Sequence, residues 1–306
     1  MPCCAINYCL YQWLLCIATG SGEVSNNMTR RGGGVRLIGH FLGGILVGIL
    51  LPAMSAVAGV YNTKHNLGSS GLNAASNFSG TEEICVFCHT PHGGDASAAV
   101  PIWNRQLDAG GFQTYDQMGT STLDANVEPI GSVSIACLSC HDGSQAMDAV
   151  INEPGSLSDN PSFSAGDWSG QAAAVQGRIG PVDVVTNLGK DLTNDHPVGI
   201  QYAGGGYSES YPEGRPRVDI DFNPPTSEVL STGRVWWVDS REHPESSFNK
   251  RDLKLYSRVG TRGTNVGELQ PYVECASCHD PHVDYNPTFL RIDPAGSAVC
   301  LTCHAK

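Results

Sequence analysis

Positive charge is scarce in this sequence. Its 306 residues carry 18 lysines and arginines against 30 aspartates and glutamates, a formal net charge of −12. A chain of that sign repels a phosphate backbone, which excludes a nucleic-acid partner. No glycine-rich dinucleotide fingerprint is present, so nothing points to a nicotinamide or flavin fold. No long amphipathic repeat runs through the chain. Long apolar runs are also missing, except for Leu37–Leu51. At about 15 residues that run is short of the roughly 20 needed to cross a bilayer, and it contains His40.

The run has the flanks of a processing signal. Arg30, Arg31 and Arg36 precede it, and Ala56-Val57-Ala58 follows as a small-x-small cleavage site. Residues 28–58 are therefore expected to be a signal peptide starting at Met28. Residues 1–27 read as an upstream extension, and Cys3, Cys4, Cys9 and Cys16 in it are given no role. Cleavage after Ala58 removes those three arginines and Glu23, which takes the net charge from −12 to −14. No membrane span is expected after cleavage. The expected location is extracellular or at the cell surface, with the periplasm as the alternative.

Cysteine, by contrast, is plentiful, with 12 in the chain. Beyond the first four they pair as Cys85/Cys88, Cys137/Cys140, Cys275/Cys278 and Cys300/Cys303. Each pair is followed at once by histidine: CVFCH (His89), CLSCH (His141), CASCH (His279) and CLTCH (His304). This is the attachment motif of c-type haem. On a helical turn residues i and i+3 share a face, so two thiols reach the two vinyl groups of one porphyrin edge. The next residue brings an imidazole to the iron as proximal ligand. Zinc knuckles and disulfide frameworks also use paired cysteines. Neither requires a histidine after every second cysteine. The pattern predicts four covalently attached haem c groups.

Haem function turns on the sixth ligand. A second histidine closes the iron and makes an electron carrier, whereas an open position admits substrate. Of the 10 histidines, His40 and the four proximal ones leave His65, His92, His196, His243 and His282. Four of these would close every iron. There is no CxxCK variant. An electron carrier is expected rather than an enzyme. A reductase with one open haem and a discrete periplasmic shuttle remain the competing readings.

The histidines also occur in a repeating order. His65, CVFCHTPH and CLSCH are followed later by His196, CASCHDPH and CLTCH. The repeat predicts two di-haem modules. His65 and His196 would serve the first haem of each module, His92 and His282 the second, and His243 is left over. His89 and His92 cannot easily bind one iron from both faces, because three residues span at most about 10 Å of chain and Pro91 ends any helix there. His92 is expected to point at a different haem, and the short tether holds the two haems close. The same holds for His279 and His282 across Pro281.

The expected domains are a di-haem module at residues 59–145, a loop-rich linker at 146–190 and a second di-haem module with a long insertion at 191–306. Stretches such as NEPGSLSDNPSFSAGDWSG and YAGGGYSESYPEGRP read as turns and loops. The fold class is mostly irregular, with short α-helices around the haem motifs and a few short β-strands, and its core is built on the haems. One helix is expected near Thr81–Cys88. Strands are expected at Val133–Ala136, Val182–Val185 and Arg234–Asp239. Trp236-Trp237 and Tyr207/Tyr211 are read as ordinary packing residues, with haem or subunit contact as the alternative.

NTKHNLG, CxxCHTPH, DHPVG, CxxCHDPH and a final CxxCH together resemble the multihaem c-type cytochromes with doubled CxxCH modules. More narrowly, they resemble the extracellular tetrahaem cytochromes that polymerise into conductive filaments, the outer-membrane cytochrome E type. That resemblance implies bis-histidine ligation at all four haems and a haem chain continuous along a homopolymer. It also implies one distal histidine donated to the neighbouring subunit, and redox proteins or extracellular acceptors as partners. From the residues themselves, an N-terminal arm carrying His65 could reach a partner; His65 and His196 are the first candidates to cross.

Overall fold

The computed structural model describes residues 59–72, 74–108, 110–155, 161–181, 184–215, 218–241, 247–262 and 265–305. The expected upstream extension and signal peptide, together with His40 and His243, lie outside the described residues.

The longest helix, α1 (Ser132–His141), carries the second CxxCH. The expected strand at Val133–Ala136 is its first half. The β-branched Val133 and Ile135 suggest a strand locally. Burial at helical spacing decides instead, because Ile135 and Leu138 pack with Ile130 and Leu192 in one apolar cluster. Helix α2 (Cys275–Cys278) and helix α3 (Ala298–Cys303) carry the third and fourth motifs. No helix forms over Thr81–Cys88. Cys85–His89 is a single turn, in which the His89 amide donates to the Cys85 carbonyl at 2.7 Å. Pro91 follows too closely for the turn to propagate.

The stretch between the second and third motifs holds more regular structure than expected. Strands β1 (Ile200–Gln201), β2 (Thr226–Leu230), β3 (Gly233–Val238), β4 (Leu253–Val259) and β5 (Leu269–Val273) form one antiparallel sheet in the order β1-β5-β4-β3-β2. Of these, β3 matches the expected strand at Arg234–Asp239. Of the expected strand at Val182–Val185, Val182 and Asp183 lie outside the described residues, and Val184 and Val185 form a bend and a turn. Strand β5 contains Pro271, which donates no ladder bond and reads against a strand. It is tolerated because β1 pairs only with Tyr272 and Val273 and ends before reaching it.

One face of the sheet presents Trp236, Val238, Leu253 and Leu255, paired across β3 and β4. These pack with Tyr202, Tyr207 and Ile292, and against Cys278, Val299 and Cys303. Burying each large apolar side chain contributes roughly 1.5–3 kcal/mol. The sheet is therefore the platform for α2 and α3, and Trp236 and Tyr207 are core. Trp237 is on the other face; it meets Phe248 and donates its indole N–H to Asp239. Tyr211 is exposed, with Arg215 over its ring. In the N-terminal half, Phe78, Val86, Phe87 and Phe163 form a smaller cluster against Cys88 and Trp168.

Candidate haem-binding site

The two CxxCHxPH segments are built the same way. In the first, the chain returns along residues 101–104. The His89 ring donates from Nδ1 to the Pro101 carbonyl at 3.0 Å. The Thr90 amide donates to Ile102, and the Asn104 amide donates to Cys88. In the second, the return runs along residues 288–291. The His279 ring donates to the Thr288 carbonyl at 2.7 Å. The Asp280 amide donates to Phe289, and the Arg291 amide donates to Cys278. Both returns place a non-glycine residue at positive φ, Ile102 at 48° and Phe289 at 62°. The repeat expected from CxxCHxPH is thus present in the backbone, and it extends to segments with no sequence likeness.

A carbonyl only accepts, so an imidazole bonded to one through Nδ1 carries its proton there and leaves Nε2 as a lone pair. That is the arrangement of a metal-binding histidine. His89 and His279 have it. So do His141 on Thr186 at 2.8 Å, His196 on Pro197 at 3.1 Å and His65 on Pro281 at 3.3 Å. His282 is different. Its Nδ1 faces the carboxylate of Asp280 at 3.1 Å. Burial, and then the His141 ring, hold His65 down to about 4, so its ring is neutral. Burial also lowers His89, His141 and His196.

Ring placement tests whether these residues fit a haem. Metal–imidazole bonds are about 2.0–2.1 Å, so two rings on opposite faces of one iron have centroids about 6.3 Å apart. The rings of His89 and His282 are 6.2 Å apart, with an interplanar angle of 16°. Those of His65 and His141 are also 6.2 Å apart, at 70°. His196 lies within electrostatic reach of His304. Phe222 packs on the His304 ring.

These partners differ from the expected ones. His65 faces the second attachment site, not the first. His282 reaches out of its own half to the first site, at Cys85 and Cys88. His196 is near the fourth site. The second histidine of the later CxxCHxPH, His282, faces the ring of His89 rather than its own motif. His65 is engaged within its own chain. The N-terminal arm is docked, with His65 stacked on Phe289 at 4.4 Å and Gly59 so close to the His282 carbonyl that a Cβ would lie 2.3 Å from it. Among the described residues, His92 and His279 belong to no such pair, and His92 is exposed.

The cysteines follow the same order. Cys137 and Cys275 share a thiol hydrogen bond, and Cys88 lies near Cys140. Cys303 lies near Cys278. Ser134 at the start of α1 donates to Glu274 at the start of α2, which fixes these two helices together. Sequence reading missed Arg105, fully buried between the first two attachment sites. It donates to Ser139, Ala146 and Met147. An isolated arginine gives no sign of burial in the sequence.

No curated protein matches the chain. Residues 271–306 match the family described as the doubled CXXCH motif. That likeness supports a multihaem c-type cytochrome, a class that generally carries electrons, with haem c held covalently through the CxxCH cysteines.

Proposed function

We propose that this chain is a tetrahaem cytochrome that carries electrons through closely spaced bis-histidine haems, as the subunit of an extracellular conductive filament. Its cofactors are four covalent haem c groups, bound by the eight cysteines from Cys85 to Cys303. Its ligands are His89 with His282, His141 with His65, His304 with His196, and His279. The observation that carries this reading is the pair of imidazole couples at 6.2 Å, each with its Nδ1 atoms already engaged. When bound, each haem supplies a one-electron iron couple. The chain supplies the spacing. Residues 279–282 touch three sites, through the His279 ring, the Pro281 carbonyl on His65, and the His282 ring opposite His89.

Among the described residues His279 and His92 remain, and they complement each other. One is a proximal ligand without an opposing ring among the described residues, the other an exposed ring without a site. His92 of one copy serving the His279 haem of the next makes a head-to-tail contact, which extends into an open filament when the rotation does not close. Quasi-equivalence supports this contact. The return loop at Phe289 is covered by the chain's own His65. Its counterpart Ile102 is exposed, beside exposed Pro91 and His92.

The test is spectroscopic and structural. Intact mass of the secreted protein should show four haems, and its resting spectra should be low-spin throughout. His92→Ala should retain all four haems and produce one high-spin or ligand-exchangeable haem, and electron microscopy should show filaments lost. A variant with unchanged spectra and intact filaments refutes the role given to His92.

A further inference from the structure

Among the described imidazoles with an Nδ1 partner, His282 alone has a charged one. Its Nδ1 and its backbone amide both meet Asp280 Oδ1, each at 3.1 Å. The carboxylate is held in place. The Asp280 amide is bonded to Phe289, and its other oxygen is 3.6 Å from Arg291, itself anchored on the Ala276 and Lys250 carbonyls. The first repeat has Thr90 at the equivalent position, and its hydroxyl turns to the His92 carbonyl instead.

The geometry points to Asp280 as a potential-setting residue that lowers the reduction potential of the haem held by His89 and His282. A carboxylate accepting the Nδ1 proton gives the ring imidazolate character and makes Nε2 a stronger donor. Stronger donation stabilises the ferric over the ferrous state. A carbonyl, the partner at the other sites, is a neutral dipole with a weaker effect. Arg291 tempers the carboxylate without competing for Oδ1, since its contact is to Oδ2. Asp280 acts through His282 and touches no iron, so it is a positioning and tuning residue. This inference rests on the ligand assignment proposed above.

The test is spectroelectrochemistry of the haem-loaded protein carrying Asp280→Asn. The amide oxygen still accepts the Nδ1 proton, so ring placement is kept while the charge is removed. One redox step should move to higher potential by three- to tenfold in its equilibrium constant, about 30–60 mV for a one-electron couple. The other steps should stay in place. The step is identified by electron paramagnetic resonance. Near-parallel axial rings, as at 16°, give a rhombic low-spin signal, whereas rings at 70° give a strongly axial one. The shift should follow the rhombic signal and should vanish in a His282→Met background. If Asp280→Asn folds poorly, Asp280→Thr copies the residue of the first repeat and should shift the same way. Unchanged potentials with the rhombic signal intact overturn the inference and leave the ligation standing. Loss of that signal in the unmodified protein overturns both.

Discussion

Arg105 is a buried cation with no carboxylate paired to it among the described residues. Its charge is spread over neutral acceptors, Ser139 Oγ and the carbonyls of Ser139, Ala146 and Met147, at 2.8–3.1 Å. Because Asn104 beside it bonds to the Val86 carbonyl and the Cys88 carbonyl is bonded to its amide, these two residues position the first attachment site against the second. Arg105→Met removes the charge and takes the donor from the Ser139 and Met147 carbonyls, each a penalty of about 1–3 kcal/mol when left unpaired. The expected loss is about 2–4 kcal/mol, measured by denaturant unfolding of the haem-loaded protein. The four CxxCH motifs were fully legible in the sequence because their chemistry requires fixed spacing. The ring that faces each imidazole was not, because the placement of His65 and His282 is set by long-range packing. A three-residue tether keeps the His282 ring from facing His279 across one gap, but does not say that it faces His89.

Among the secondary elements, the return segments explain how unlike sequences make equal sites. Pro101-Ile102-Trp103-Asn104 and Thr288-Phe289-Leu290-Arg291 share no residue, yet each offers carbonyls to the histidine and to the residue after it. Only the backbone is repeated, so the second half of the repeat was invisible to motif reading. The cost is strain, since a β-branched residue at positive φ is disfavoured by about 1–2 kcal/mol. Ile102→Gly should therefore raise the thermal stability of the isolated subunit, by about 1 kcal/mol. Thermal unfolding followed by haem circular dichroism would check it; destabilisation would mean that Ile102 packing outweighs its strain. Strand β3 was legible as RVWWV. Strand β4 alternates, with Leu253 and Leu255 buried and Lys254 and Tyr256 less so. Edge strand β2 is largely exposed, so it lacks the apolar run that identifies a strand from sequence.

Across the whole molecule, the two expected halves are tied by buried acids that composition alone would place on the surface. Glu274 is fully buried, accepts from Ser134 and pairs with Arg258 at 2.8 Å. Burial, the largest influence on it, raises its pKa. Glu128 accepts from the Thr261 and Arg262 amides and the Thr261 hydroxyl. Glu274→Ala takes the cap from α2 and leaves Arg258, itself mostly buried, without its partner, a loss of about 3 kcal/mol. Unfolding that is unchanged by this substitution would show that the halves hold together without it. The net charge of −12 opposes association between copies. Light scattering should show assembly strengthening from low salt to about 0.15 M, where the Debye length falls to about 8 Å. Assembly that weakens with salt would point instead to attractive charge pairs at the contact.

The ring opposite His89 belongs to a residue close to the end of the chain. Synthesis proceeds from the N-terminus, so the first attachment site to emerge is among the last to be completed. Until residue 282 has been made, the His89 ring has no counterpart across the gap. A chain truncated shortly before that point would leave the His89 ring with no imidazole facing it. The geometry of the first site is therefore completed only by distant sequence.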